Sequence, residues 1–181
     1  ELAQETYNAL MVVDAAVVVC EPETDKALTV APLLRFLDDH AIPHIIFVNK
    51  MDSASLGVKV TLEALQEVSE RPLVLREIPM RDGNDMSGHV DLVSERAFQW
   101  RDGKASDLVQ IPDDLQSREA GARAEMLETL ADFDDKLLEE LLEDVAPSTD
   151  EIYDNLTRDF RADRIVPVFF GSAEHDNGIS R

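Results

Sequence analysis

The clearest chemistry in the sequence lies in Asn49, Lys50 and Asp52, which close the apolar run Ile45-Ile46-Phe47-Val48. A carboxylate at Asp52 can accept two parallel, charge-assisted hydrogen bonds from a ring N–H and an exocyclic amine set side by side. Guanine presents that pair, whereas adenine puts an acceptor where the ring N–H would be. A polar site of this kind rejects the wrong partner by roughly 10⁴ to 10⁵, because the buried carboxylate would face a lone pair. Asn49 carries a donor and an acceptor on one amide, which suits the other edge of the base and a neighbouring loop. The aliphatic stem of Lys50 can lie along a purine while its ammonium stays in water.

A second candidate lies far downstream. Ile165 to Phe170 form another apolar run, ending in Gly171-Ser172-Ala173, whose backbone N–H groups can reach a base carbonyl. Glycine turns after strands are common, so this tripeptide is informative only beside the first motif.

The elements that must position these loops follow from periodicity. Residues 43 to 48 read as a strand buried on both faces, as in a parallel sheet, with a ligand expected at its carboxyl end. Residues 15 to 20 read as a second strand. A polar bend follows at 21 to 25, then a helical stretch to about His40 in which Pro32 means either that the helix begins near it or that the earlier turn is irregular, giving a right-handed β-α-β crossover. A first helix runs from Glu1 to Val13 with Leu2, Thr6, Leu10 and Val13 on one face. Residues 56 to 70 read as another helix, with Leu56, Val60, Ala64 and Leu65 as its inward stripe.

Between Asp52 and Gly171 lie 118 residues, far more than a helix and a returning strand need, so an inserted subdomain is expected. The expected division is 1–71 and 164–181 for the parallel-sheet body and 72–163 for the insert. Pro72 to Ile78, His89 to Ser94 and Ala97 to Arg101 read as short strands, with turns at Asp82-Gly83-Asn84-Asp85 and Asp102-Gly103. Trp100 reads as packing for this small sheet. Two helical stripes follow, Leu115, Ala122, Met126, Leu130 and Phe133, then Leu137, Leu138, Leu141, Leu142 and Val145. Ser148-Thr149-Asp150-Glu151 opens a third helix as a capping box, with Ile152, Leu156 and Phe160 on its buried face. The overall expectation is an α/β fold: a parallel sheet with helices plus an inserted α+β subdomain.

Composition restricts the function. The chain carries 38 acidic and 17 basic residues, a formal charge of −21, which disfavours direct contact with nucleic acid and favours a basic protein partner. From Asp113 to Asp163 there are 17 acidic and 5 basic residues, so most of the excess lies on the insert's helices; Glu139, Glu140 and Glu143 are the candidate partner face. Cys20, the one cysteine, sits in an apolar strand and reads as an inert buried thiol. No apolar run approaches bilayer-spanning length, and a soluble, cytoplasmic protein is expected. His40, His44, His89 and His175 show no metal-ligand spacing, so no metal site is expected. Asp85-Met86-Ser87-Gly88 reads as a turn. No Gly-x-x-x-x-Gly-Lys-Ser/Thr loop occurs, so the phosphate cradle, the magnesium threonine and the switch aspartate of a nucleotide hydrolase are missing and no catalytic residue is assigned. The opening at Glu1 and the ending at Arg181 read as those of a piece of a longer protein.

The landmarks Phe47-Val48-Asn49-Lys50-Met51-Asp52, Gly88-His89-Val90-Asp91-Leu92-Val93, Ala97-Phe98-Gln99-Trp100, Ile111-Pro112-Asp113-Asp114-Leu115 and Val166-Pro167-Val168-Phe169-Phe170-Gly171-Ser172-Ala173 resemble, in order and spacing, the later half of the P-loop GTPase-type domain of translation elongation factor G with its inserted subdomain. The resemblance implies that Asn49, Lys50 and Asp52 recognise guanine and that Ser172 and Ala173 complete the pocket. It implies GTP or GDP with Mg²⁺ as ligands of the intact protein, GTP hydrolysis driving movement on the ribosome, and contact between the insert and the ribosomal stalk protein. After Cys20 the family carries an aspartate and a Gly-Val-x-Pro-Gln-Thr run, where this chain has Glu21-Pro22-Glu23-Thr24-Asp25-Lys26. That departure leaves both the housekeeping translocase and a diverged paralogue open. Ribosome-protection and release-factor GTPases share the base motifs, and a non-catalytic interaction module with a vestigial pocket is the other reading.

Overall fold

A computed structural model describes residues 3–53, 58–83, 85–101 and 104–179. Leu2, Leu56, Asn84 and the Asp102-Gly103 turn named above lie outside these residues.

The parallel sheet has the order β1-β2-β8-β3, with β1 Ala16–Cys20, β2 His44–Val48, β3 Leu73–Leu75 and β8 Val166–Phe170. All three of its pairings are parallel. Residues before β2 form α1 Ala3–Leu10, α2 Thr24–Ala27, a short 3-10 turn and α3 Ala31–Asp39. Pro32 sits in the first turn of α3, where its missing N–H costs nothing. Leu34 and Leu37 of α3 are fully buried against Val18, Cys20, Ile46 and Val48. Neither β1 nor β2 is buried on both faces. In β2, His44, Ile46 and Val48 are buried while Ile45 and Phe47 are half-buried. In β1, Val17 and Val19 are 62% and 55% exposed, so one side of this edge strand has no cover among the described residues.

The helix after β2, α4, spans Val58–Gln66 and turns Thr61, Ala64 and Leu65 inward. Val60, expected on that stripe, is exposed. Thr61 takes the inward position because its hydroxyl donates to the Pro22 carbonyl at 2.6 Å.

The second sheet is antiparallel, ordered β4-β5-β6-β7, with β4 Glu77–Asp82, β5 Asp85–Asp91, β6 Arg96–Arg101 and β7 Lys104–Val109. Pro72 to Ile78 is therefore two strands in two sheets, broken at Arg76. The Arg76 N–H donates to Val168 O (3.1 Å) in the parallel sheet, and its carbonyl accepts from Leu92 N (3.0 Å) at the end of β5. Asp85-Met86-Ser87-Gly88 is not a turn; Met86 and Gly88 pair with Arg81 and Met80 inside the β4-β5 ladder. The bend falls at Gly83, where φ is +61°.

Three helices complete the chain: α5 Asp113–Ala131, α6 Asp135–Leu142 and α7 Thr149–Arg161. Leu115, Met126, Leu127 and Leu130 of α5 meet Ile152 and Leu156 of α7 and Ile78, Val90 and Leu92 of the second sheet in one core. Asp134 caps α6, accepting from Leu137 N at 2.9 Å; that bond and the Arg158 guanidinium hold its carboxyl below the usual range. Ser148 caps α7 through Glu151 N, but the Glu151 carboxylate turns to Lys136 and leaves the box half made.

Only part of the expected α6 stripe is core. Leu137 is fully buried, whereas Leu138, Leu142 and Val145 are 44%, 78% and 47% exposed. Leu137→Ala is therefore expected to cost about 2–5 kcal/mol in chemical denaturation, and Leu142→Ala within about 0.5 kcal/mol. Equal losses would show that Leu142 is covered after all.

Candidate guanine-binding site

The two loops singled out by residue type meet. β2 and β8 are adjacent, with Ile46, Phe47 and Val48 opposite Val168, Phe169 and Phe170, so both loops leave the same end of the sheet. Gly171 N donates to Val48 O and Met51 N to Gly171 O, each at 3.0 Å. The Asn49 side-chain carbonyl accepts from Ala173 N at 2.9 Å, across 124 positions of sequence. One face of the Asn49 amide thus fastens the second loop, as its donor–acceptor character allows.

Each loop has a fixed shape. Asn49 N donates to Cys20 O (2.8 Å), tying the first loop to the end of β1 as well. Lys50 adopts φ +61°. Its ammonium binds Glu21 at 2.6 Å. That hydrogen bond lowers the Glu21 pKa and raises that of Lys50. Glu21, at the point of departure from the family pattern, is thus a direct neighbour of the base motif, and a cavity of about 250 Å³ lies between Cys20, Glu21, Lys26, Asn49 and Lys50.

The Asp52 carboxylate is about a third exposed, with His175 Nε2 4.0 Å away, beyond hydrogen-bond distance. It keeps acceptor capacity facing solvent. In the second loop, Ser172 is buried and exchanges two backbone hydrogen bonds with Asn177 (2.9 and 3.0 Å). Its N–H is thereby committed to the loop, while exposed Ala173 presents the N–H held by Asn49.

The second sheet supports this loop from behind. Glu77, the first residue of β4, accepts from the amide of Phe170, the last residue of β8, at 2.9 Å. Its other oxygen lies 3.5 Å from His89 Nε2, and His89 Nδ1 accepts from the Trp100 indole at 3.0 Å. Trp100 is therefore not confined to the small sheet; it packs with Met51, Met86 and Phe170 in the core of the parallel sheet. Sequence periodicity carries no sign of this Trp100–His89–Glu77 chain, since its members sit on three different strands.

The partner-face candidates are not equivalent. Glu139 and Glu143 are exposed, while Glu140 is half-buried and pairs with Lys136 at 3.0 Å.

Comparison with known proteins gives the family. Residues 2–181 match the model of the elongation factor Tu GTP-binding domain. The chain belongs to that family. An elongation factor G-like protein from Synechocystis sp. is 49% identical over 179 residues, covering 99% of this chain and 27% of that protein. An elongation factor G from Fervidobacterium nodosum is 30% identical over 178 residues, covering 97% and 26%. A crystal structure of a Thermus thermophilus protein aligns with a TM-score of 0.78 at 25% identity, over 97% of this chain and 26% of that one. The chain thus spans about a quarter of the length of these relatives, and it has the fold of an elongation factor G-like translational GTPase.

Gly171 is the residue on which loop closure turns. A Cβ there would stand 2.3 Å from Asn177 O and 3.0 Å from the Phe47 ring. Gly171→Ala is expected to displace the Ser172–Asn177 bend while leaving both sheets formed, read as amide shift changes concentrated at 171–178 and around Asn49. Shifts spread evenly over the chain, or none, would contradict this.

Proposed function

We propose that this chain is the guanine-reading part and stalk-facing subdomain of a GTPase that acts on the ribosome. The observation that carries the reading is the Asn49–Ala173 hydrogen bond, which joins two loops of the residue types guanine requires. Asp52 takes the base N1–H and amine, Lys50 lies along the ring, and the Ser172-Ala173 turn, fastened by Asn49, closes the pocket beside the base. GTP or GDP would bind here in the intact protein. Mg²⁺ and the phosphates need the phosphate loop and switch residues that this sequence does not contain, and these supply most of the catalytic electrostatics. By itself the chain is expected to hydrolyse no GTP.

The translocase reading and the paralogue reading share this site. The Glu21–Lys50 pair, made where the family's usual run is replaced, favours the diverged paralogue, as does the 49% identity with an elongation factor G-like protein.

For the partner surface, α6 and the turn after it set exposed Leu138, Leu142 and Val145 near Glu139 and Glu143. Apolar side chains ringed by carboxylates fit a partner that combines an apolar patch with basic residues. The ribosomal stalk protein is the proposed occupant.

Asp52→Asn in the intact protein is expected to weaken GDP binding by roughly 10²-fold and to shift preference toward xanthine nucleotides, because xanthine replaces the donor amine with a carbonyl. Unchanged preference in nucleotide competition would reject the assignment of Asp52. Charge reversal at Glu139 and Glu143 is expected to weaken stalk-protein binding roughly tenfold in titration calorimetry. Unaltered affinity would move the partner face elsewhere. Glu140 is left out of that test because reversing it would also break its pair with Lys136.

A further inference from the structure

Asp38, His44 and Asp163 stand far apart in sequence, and each is at least nine-tenths buried, at 4%, 0% and 6% exposure. The fold brings one ligand-type atom of each to within 4.8 Å of the others. Asp38 ends the buried stripe of α3, His44 begins β2, and Asp163 lies between α7 and β8, at the end of the parallel sheet opposite the guanine loops.

The second polar atom of each side chain is held, and the first is not. His44 Nδ1 is 3.0 Å from Ile42 O. A carbonyl only accepts, so Nδ1 carries a proton, and Nε2 turns either its lone pair or a second proton toward the two carboxylates. Asp38 Oδ2 accepts from Glu70 N at 3.1 Å, and Asp163 Oδ2 from Arg71 at 3.0 Å. Asp38 Oδ1, His44 Nε2 and Asp163 Oδ1 are buried with no hydrogen-bond partner.

With Nε2 unprotonated, three acceptors face one another without a donor, and each unsatisfied buried polar atom costs about 1–3 kcal/mol. A cation removes that conflict. Two carboxylates and Arg71 leave one net negative charge around the imidazole, which favours a cation in the cluster. The held outer atoms are what metal ligands show: an imidazole whose far N–H is fixed on a carbonyl, and carboxylates fixed by their second oxygen. One nitrogen and two oxygen donors suit zinc and its transition-metal neighbours rather than magnesium or calcium, which take oxygen alone. Ligands of a tetrahedral zinc at about 2.0–2.2 Å stand roughly 3.3–3.6 Å apart, so uptake would draw together three atoms that now lie within 4.8 Å of one another.

We propose that Asp38, His44 and Asp163 form a structural binding site for a divalent transition-metal ion of the zinc type. The site stands where the inserted body leaves and rejoins the parallel sheet: Arg71 precedes β3, and its side chain also donates to the Asp163 carbonyl at 2.7 Å. A bound ion would fasten α3, β2 and the segment entering β8 at one point, leaving a fourth position for water or for the edge open past Arg71, which is 29% exposed.

The test uses chelator-stripped protein in millimolar Mg²⁺, which occupies weak surface carboxylates. Titration with Zn²⁺ is expected to show one equivalent bound per chain, with Co²⁺ giving the visible bands of a four- or five-coordinate nitrogen–oxygen site. His44→Gln and Asp38→Asn are each expected to weaken uptake at least about 100-fold. On unaltered protein, nitrogen NMR of the His44 ring is expected to show an unprotonated Nε2 whose resonance moves with the first equivalent of zinc. Ring signals that zinc leaves in place, or equal uptake by folded His44→Gln, would overturn the proposal.

Discussion

The pairing of β2 with β8 is the constraint on which the rest of the molecule depends. Residues from the two sides of the insert become neighbours in one parallel ladder. The loops leaving them are then stitched by Gly171 N to Val48 O, Met51 N to Gly171 O and Ala173 N to Asn49. Backbone bonds set the spacing and a side-chain amide sets the orientation. Asn49 does both, since its N–H holds β1 while its carbonyl holds the second loop.

An insert of this size must return the chain to the sheet in register. It does so by sharing its cores with the sheet. Met86 and Trp100 of the second sheet pack with the first core, while Val74 and Ile165 of the parallel-sheet body pack with the second. Glu77, buried at 3% exposure, is well placed because the Phe170 amide and the His89 ring meet its two oxygens; a buried carboxylate without such partners would be strongly unfavourable. The same contact makes the insert a wall of the second base loop, so a shift in β4 is felt next to Gly171. At the other edge of the sheet, Arg71 and Arg76 flank β3, the strand by which the chain leaves. Arg76 stacks on Phe169 and Tyr153 with its charge centre 5.5 and 5.7 Å from the rings.

The sequence showed the proposed guanine motif most plainly because its chemistry is local: Asn49, Lys50 and Asp52 follow directly after an apolar run. β1, β2 and β8 were legible for the same reason, as were the core face of α7 and its Ser148 cap, whereas β3 was read into the insert although it pairs with β8. What failed was whatever depends on distant neighbours. Arg76 breaks an apparently continuous strand because its two backbone groups serve two sheets. β7 is polar and half-exposed at a sheet edge, where alternation is not demanded, so no pattern revealed it. The Leu138-Leu142-Val145 stripe has helical period but nothing packed over it among the described residues. Asp38, His44 and Asp163 converge only through the crossover and the return of the chain, which spacing cannot express.

Comparing GDP with inosine diphosphate on the intact protein tests the central claim most directly, because the two differ only in the exocyclic amine that Asp52 is proposed to bind. Loss of one hydrogen bond to a carboxylate should weaken inosine diphosphate about 10- to 150-fold, and Asp52→Ala should abolish that gap. Equal affinities in the unaltered protein would contradict the claim that these converging loops read guanine.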